Sequence, residues 1–158
     1  MIRLLAGILI TSLIVFGCKK DDEPQISPEE QFAKDIQIIE DYLAQEGLVA
    51  ERTASGLHYI ILEEGSGEHP GPGDTVEVKY KGYLPDGRIF DQTRPATTLI
   101  HPLDDFIDGW TEGLQYLRSE GGKGMFLIPS ELGYGRNVAG SIPANSVLIF
   151  ELTLIKFF

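Results

Sequence analysis

Few residues in this 158-residue sequence could do chemistry, and most of those lack the required spacing. His58, His69 and His101 are scattered, with no second histidine or cysteine at the spacing of a metal site. Ser66 lies outside the G-x-S-x-G pattern of a hydrolase nucleophile. The glycine-rich run 65–73 precedes a strand pattern and contains prolines where amides would have to cradle a phosphate. The sequence therefore predicts no metal and no cofactor, and leaves aromatic and aliphatic side chains near turns as the candidate site.

The elements that must position these side chains are mostly strands. Four segments read as strands, namely 58–62, 75–83, 123–128 and 147–157, with apolar and polar residues alternating along 75–83. Turn residues separate the segments, notably Pro85-Asp86-Gly87 and the run 65–73. A single short helical pattern, at about 110–117, interrupts them. Successive strands with one helix predict an α+β fold, in which a twisted antiparallel sheet wraps around a short helix.

A further helix is predicted in the N-terminal segment 27–50. Ser27 is an N-cap residue, and Pro28 is suited to the first helical position. Gly47 is placed to end the helix. Four apolar residues share one face of it, namely Phe32, Ile36, Ile39 and Leu43. We expect this face to pack on its own domain or on a second copy, with client binding as the alternative.

The N-terminus has the anatomy of an export signal. Residues 1–17 combine an early Arg3, an apolar run too short to span a bilayer, and a small Gly17 directly before Cys18. The end of the run resembles a bacterial lipobox, although Phe16 departs from the usual small residue, as often in Bacteroidetes lipoproteins. The resemblance implies that 1–17 are removed and that Cys18 carries a lipid anchoring the protein to the cell envelope, with the outer membrane expected.

The segment after the cysteine, 18–26, reads as an acidic tether. Lys19 and Lys20 followed by acidic residues are similar to the signal of surface-exposed Bacteroidetes lipoproteins, and any hydrophilic tether fits equally well. The periplasmic and the surface-exposed face both stay open. The net charge of −11 would repel phosphate backbones, so nucleic acid is not an expected partner.

Residues 54–156 resemble the FK506-binding-protein (FKBP) domain from end to end. Five stretches follow that family's order and approximate spacing: VKYKGYL at 78–84, DGRIFD at 86–91, FIDGWTEGL at 106–114, GYG at 133–135 and IPANSVLIFEL at 142–152. The resemblance implies a peptidyl-prolyl cis-trans isomerase domain at 54–158. Such a domain accelerates isomerisation of X-Pro bonds in proline-containing polypeptides, here exported or envelope proteins, and binds FK506-like macrolides.

By this resemblance, a proline pocket with Trp110 as its floor is lined by Tyr80, Phe90, Asp91, Phe106, Ile107, Trp110, Tyr134, Ile142 and Phe150. Tyr80, Asp91 and Tyr134 are the implied catalytic residues, and the backbone N–H of Ile107 is an implied donor to substrate. Leu99 is the nearest counterpart of an aromatic that many members contribute from 97–103. Phe106 stands where a small aliphatic residue is usual and should narrow one wall. The family's loop histidine is missing, since 138–140 read VAG.

The sequence leaves two alternatives to an isomerase. One is a catalytically weak chaperone or binding module that keeps the FKBP fold on the cell envelope. The other is a structural or adhesion lipoprotein whose working part is the helix at 27–50.

Overall fold

A computed structural model describes residues 26–158, so the predicted export signal, Cys18 and nearly all of the predicted tether lie outside the described residues. The elements in chain order are α1 (Pro28–Glu46), β1 (Glu51–Arg52), β2 (His58–Glu63), β3 (Thr75–Tyr83), β4 (Ile89–Gln92), β5 (Leu99–Pro102), a 3₁₀ helix (Leu103–Asp105), α2 (Asp108–Gly113), a 3₁₀ helix (Leu114–Tyr116), β6 (Gly122–Ile128), a 3₁₀ helix (Ser130–Leu132) and β7 (Leu148–Phe157). Among these helices, none has both the length and the apolar character needed to cross a membrane.

The strands form one antiparallel sheet in the order β1-β2-β6-β7-β3-β4, with β5 pairing the remaining part of the β3 edge. The predicted antiparallel α+β fold is confirmed. All four predicted strand segments are present, whereas β1, β4 and β5 were not predicted as strands. These three have only two to four residues and are largely exposed, so they carry too little apolar alternation to be recognised from the sequence.

The main core lies between the sheet and α2. Alternate residues of β7 point into it and are buried, from Leu148 to Leu154. Two glycines let α2 approach β6 closely: a Cβ at Gly109 would lie 2.5 Å from Ile128 Cγ2, and one at Gly113 would lie 2.7 Å from Phe126 Cδ1. This close packing fixes the height of Trp110 above the sheet.

The helix α1 packs on the other face of the same sheet, through Ile39 and Leu43 against Leu127 and Ile149. The predicted caps are confirmed: Ser27 Oγ accepts a hydrogen bond from the Glu30 N–H, and Gly47 ends the helix in the left-handed region with φ 66°. The apolar face of α1 is therefore buried by its own domain.

Candidate active site

A cavity of about 380 Å³ opens beside α2. It lies where β3, β4, β5 and β7 meet that helix and the loop between the last 3₁₀ helix and β7. Its lining residues are mainly apolar and include eight of the nine predicted pocket residues, all but Ile107: Tyr80, Phe90, Asp91, Phe106, Trp110, Tyr134, Ile142 and Phe150. The lining is completed by Leu99, Ala139, Gly140 and Ser141.

Trp110 is the hub of the aromatic cluster around this cavity. Its side chain is only 4% exposed, and its ring centroid lies 5.1 Å from Tyr80, 4.7 Å from Phe106 and 5.1 Å from Phe150. The contacts with Tyr80 and Phe150 are close to perpendicular, which is a favourable arrangement for aromatic rings. Packed rings of this kind give the cavity a rigid, apolar floor.

The opposite wall depends on Gly82 in β3. Phe90 and Phe150 meet edge to face with centroids 5.4 Å apart. A Cβ on Gly82 would lie 2.5 Å from Phe90 Cε2 and 2.6 Å from Phe150 Cε1, closer than real Cβ contacts. Only glycine at this position leaves room for both rings.

The polar part of the site is a phenol–carboxylate pair. Tyr80 Oη donates a hydrogen bond of 2.6 Å to Asp91 Oδ2, and Asp91 Oδ1 accepts one of 2.9 Å from the Gln92 N–H. Burial, and then the hydrogen bond to Asp91, raise the pKa of Tyr80 well above the ordinary value of a phenol. Tyr80 is therefore a protonated hydrogen-bond donor throughout the physiological pH range.

Two further donors adjoin the cavity. Tyr134 lies at its rim with 39% of the residue exposed, so its hydroxyl is open to an incoming ligand. Trp110 Nε1 is buried and has no hydrogen-bond partner among the described residues. A buried donor without a partner costs about 1–3 kcal/mol of stability. Such a group is usually satisfied by a bound water or a ligand.

Ile107 is the one predicted pocket residue whose side chain is not among those lining the cavity. It is partly buried, packs against the main core and is the N-cap residue of α2. Its carbonyl accepts hydrogen bonds from the N–H groups of Trp110 and Thr111. No hydrogen bond donated by the Ile107 N–H occurs within residues 26–158, so this group has no competing acceptor there.

Leu99 does line the cavity, because β5 pairs with β3 in the register that places Leu99 opposite Val78. Sequence reasoning missed three lining residues, Ala139, Gly140 and Ser141. They form a tight turn closed by two hydrogen bonds between Ala139 and Ile142, and Gly140 has φ 58°. The signal available in the sequence was Gly140, because a glycine two residues before the predicted Ile142 is typical of a tight turn.

Phe106 is held between two rings. Besides Trp110, it contacts His101, whose ring centroid is 5.1 Å away, and His101 Nε2 lies 3.8 Å from Asp105 Oδ2. The Phe106 side chain therefore forms part of one wall of the cavity. Residues 26–158 contain no group of three or more His, Cys, Asp or Glu side chains arranged to hold a metal ion.

Comparison with known proteins adds independent information. Residues 66–155 match the family model described as FKBP-type peptidyl-prolyl cis-trans isomerase. The chain is 45% identical over 124 residues to the FKBP-type peptidyl-prolyl cis-trans isomerase FkpA of Aeromonas hydrophila, covering 73% of this chain and 44% of that protein. It is 39% identical over 143 residues to the outer membrane protein MIP of Legionella longbeachae, covering 87% of this chain and 59% of that protein.

A solved structure is similar over a larger share of its length. The crystal structure of a peptidyl-prolyl cis-trans isomerase from Pseudomonas syringae pv. tomato superposes with a TM-score of 0.70 at 34% identity, covering 84% of this chain and 96% of that one. The present chain thus spans about half the length of the two curated relatives and nearly all of this solved structure.

Proposed function

Because the chain belongs to the family of FKBP-type peptidyl-prolyl cis-trans isomerases, we propose that it accelerates cis-trans isomerisation of X-Pro bonds in exported or envelope polypeptides. The observation that carries this proposal is the apolar cavity floored by Trp110 and lined by the aromatic rings of Tyr80, Phe90, Phe106 and Phe150. A cavity of this kind suits a pyrrolidine ring.

The reaction breaks no bond. Rotation about an X-Pro amide must disrupt the resonance that keeps the amide planar, and the uncatalysed process takes roughly tens to hundreds of seconds. A catalyst needs only to bind the twisted amide more tightly than either planar isomer. The twisted amide has lost conjugation and polarity at its carbonyl, so transfer into a dry aromatic cavity costs it less solvation than it costs the planar forms.

The polar groups orient the substrate. We propose that Tyr134 and the backbone N–H of Ile107 donate hydrogen bonds to carbonyls flanking the proline; the support is the exposure of Tyr134 at the rim and the absence of an acceptor for the Ile107 N–H within residues 26–158. Asp91 keeps the Tyr80 phenol in one orientation and presents its carboxylate at the cavity mouth. Neither Asp91 nor Tyr80 has to transfer a proton, because the isomerisation requires no proton transfer.

The same cavity is the proposed binding site for FK506-like macrolides, which compete with proline peptides in this mechanism. A catalytically weak chaperone or binding module is the alternative function, and the bulk of Phe106 on one wall favours it. The two are separated by the rate at which purified protein isomerises a short proline peptide, with and without FK506. Acceleration that FK506 abolishes supports the enzyme, and peptide binding without acceleration supports the binding module.

We further propose that the protein is tethered to the cell envelope through a lipid on Cys18. The support is the lipobox-like sequence 13–18 and the name of one relative, an outer membrane protein. Labelling of wild-type and Cys18→Ala cells with radioactive palmitate tests the anchor, since label should appear in the wild type alone. Protease treatment of intact cells then distinguishes a surface-exposed domain, which is digested, from a periplasmic one, which is protected.

A further inference from the structure

A buried carboxylate joins the N-terminal helix to the loop that borders the cavity. Asp35 of α1 is 0% exposed. Its Oδ2 accepts hydrogen bonds from Ser130 N at 2.8 Å and Ser130 Oγ at 2.6 Å, and its Oδ1 accepts one from Gln31 Nε2 at 2.6 Å. Burial of a carboxylate is costly unless hydrogen bonds satisfy it, and bonds to a charged acceptor are among the strongest in proteins. The contact between Asp35 and Ser130 is therefore a specific tertiary link.

Ser130 in turn organises the loop that carries Tyr134. The Ser130 carbonyl accepts hydrogen bonds from Gly133 N at 3.0 Å and Gly135 N at 2.8 Å, the residues on either side of Tyr134. The Gly135 carbonyl accepts a further bond of 2.7 Å from Asn145 N, which closes the loop. Ser130 is itself only 1% exposed. The positions of the Gly133 and Gly135 amides, on either side of Tyr134, thus depend on the position of Ser130.

We propose that Asp35 is a positioning residue for the active site. By holding the amide and hydroxyl of Ser130, it fixes the loop 130–142, and with it the rim residue Tyr134 and the wall residue Ile142. On this account α1 is part of the active-site scaffold rather than a spacer between the membrane and the domain. The inference rests on the proposed isomerase function for its kinetic consequence, and on geometry alone for its structural one.

The test compares two aspartates of the same helix in the full chain. Asp35→Asn keeps the side-chain size but removes the charge and replaces one acceptor oxygen with an NH₂ group. Asp41→Asn is the matched control, because Asp41 also accepts from a glutamine four residues earlier, Gln37 Nε2 at 2.8 Å, but is exposed. We measure kcat and KM for a proline peptide, and hydrogen–deuterium exchange of peptides covering 130–142 and β7.

The expected result is that Asp35→Asn lowers kcat/KM about tenfold, chiefly through KM, because small misplacements of substrate-positioning groups are costly. Exchange should rise in 130–142 while β7 stays protected. Asp41→Asn should match the wild type. A purely structural role would instead reduce the folded fraction, lowering apparent kcat at constant KM, with increased exchange in both regions.

Ser130→Ala provides a milder second variant, since it removes one of the two bonds to Asp35 and keeps the other. It should shift KM and loop exchange in the same direction, and its effect should not add to that of Asp35→Asn. If Asp35→Asn fails to fold, Ser130→Ala alone decides. Wild-type KM and wild-type loop exchange in the folded variants would overturn the inference. An inactive wild type would refute the proposed function instead, while loop exchange still tests the link to α1.

Discussion

The hydroxyl of Tyr80 lies 2.6 Å from Asp91 Oδ2, and this hydrogen bond spans the neighbouring strands β3 and β4 at the mouth of the cavity. The ring of the same tyrosine packs on Trp110. Tyr80 therefore connects the polar edge of the site to its apolar floor. Because the pKa of Tyr80 is raised by burial and by Asp91, the phenol remains protonated and the connection persists at neutral pH.

Asp91→Ala should lower kcat/KM about tenfold, because the Tyr80 hydroxyl loses the hydrogen bond that orients it at the cavity mouth and small misplacements of substrate-positioning groups are costly. The free energy of unfolding should change by less than about 1 kcal/mol, because Asp91 is exposed. Kinetics and urea denaturation measured on the same preparation check both statements. Tyr80→Phe should lose a similar amount, and the double variant should lose no more than either single one. Unchanged turnover with reduced stability would contradict this role for Asp91.

Gly82→Ala should weaken ligand binding by displacing Phe90 and Phe150, whose ring atoms a new methyl group would meet at 2.5–2.6 Å. Overpacking of this kind costs about 1–3 kcal/mol of stability. Titration of a proline peptide and thermal unfolding measure the two effects. Gly71→Ala is the control, because the nearest atom to its Cβ would be Asp74 Oδ2 at 3.8 Å. Equal behaviour of the two variants would show that Gly82 is not needed for the aromatic wall.

The stability of the fold should fall as the pH drops below about 6.5. Burial lowers the pKa of His58 from its ordinary value of 6.5 in the folded state, despite the opposing hydrogen bond with the Gly56 carbonyl. Below pH 6.5 the unfolded chain therefore protonates His58 more readily than the folded protein does. The stability that depends on neutral His58 is fully present above pH 6.5 and is lost as the pH falls. His58→Gln should reduce the slope of Tm against pH below 6.5, whereas His101→Gln, at a half-exposed site, serves as the comparison. An unaltered slope in His58→Gln would disprove the assignment.

Phe106→Val should strengthen FK506 binding relative to binding of a small proline peptide. Phe106 forms one wall of the cavity, wedged between Trp110 and His101, and its removal opens that wall to a bulkier ring system. Competition binding with both ligands gives the ratio of their affinities. A ratio that stays constant or moves toward the peptide would mean that Phe106 does not limit the size of the ligand.

The regular elements could be predicted because their signals are local. The alternation of β7 separates Leu148, Phe150 and Leu152 from Ile149, and the structure places the two sets on opposite faces of the sheet. The caps at Ser27 and Gly47 likewise mark the ends of α1. The short strands β4 and β5 escaped prediction because pairing with β3, a tertiary effect, is what makes them strands.

The site was predicted from joint resemblance, and its misses have tertiary causes. The resemblance implied the cluster of Trp110 and its aromatic neighbours, but the sequence did not reveal that Ile107 packs beside the core outside the cavity lining, or that Ala139 to Ser141 line the cavity. Asp35 was not singled out from the sequence. It lies three residues after Phe32 and four before Ile39, on the apolar side of α1, but no local pattern identifies its partner, a serine 95 residues away.

The same burial bears on the alternative in which α1 works as an independent binding element. Ile39 is fully buried and Leu43 nearly so, both against the sheet. The apolar face of α1 is thus not available to an external partner without unfolding the contact. This burial favours the cavity, rather than the helix, as the proposed site for polypeptide binding.

The most direct test is the isomerisation rate of a short X-Pro peptide, measured by NMR exchange. The rate with wild-type protein is compared with the rate with Trp110→Leu, a variant that keeps an apolar side chain at this buried position. Trp110→Ala, which leaves a larger gap at a cost of about 3–5 kcal/mol in stability, should lose still more peptide binding. We expect clear acceleration by the wild type and a rate at least about tenfold lower with folded Trp110→Leu. Equal rates for wild type and variant would contradict a mechanism that depends on the indole floor.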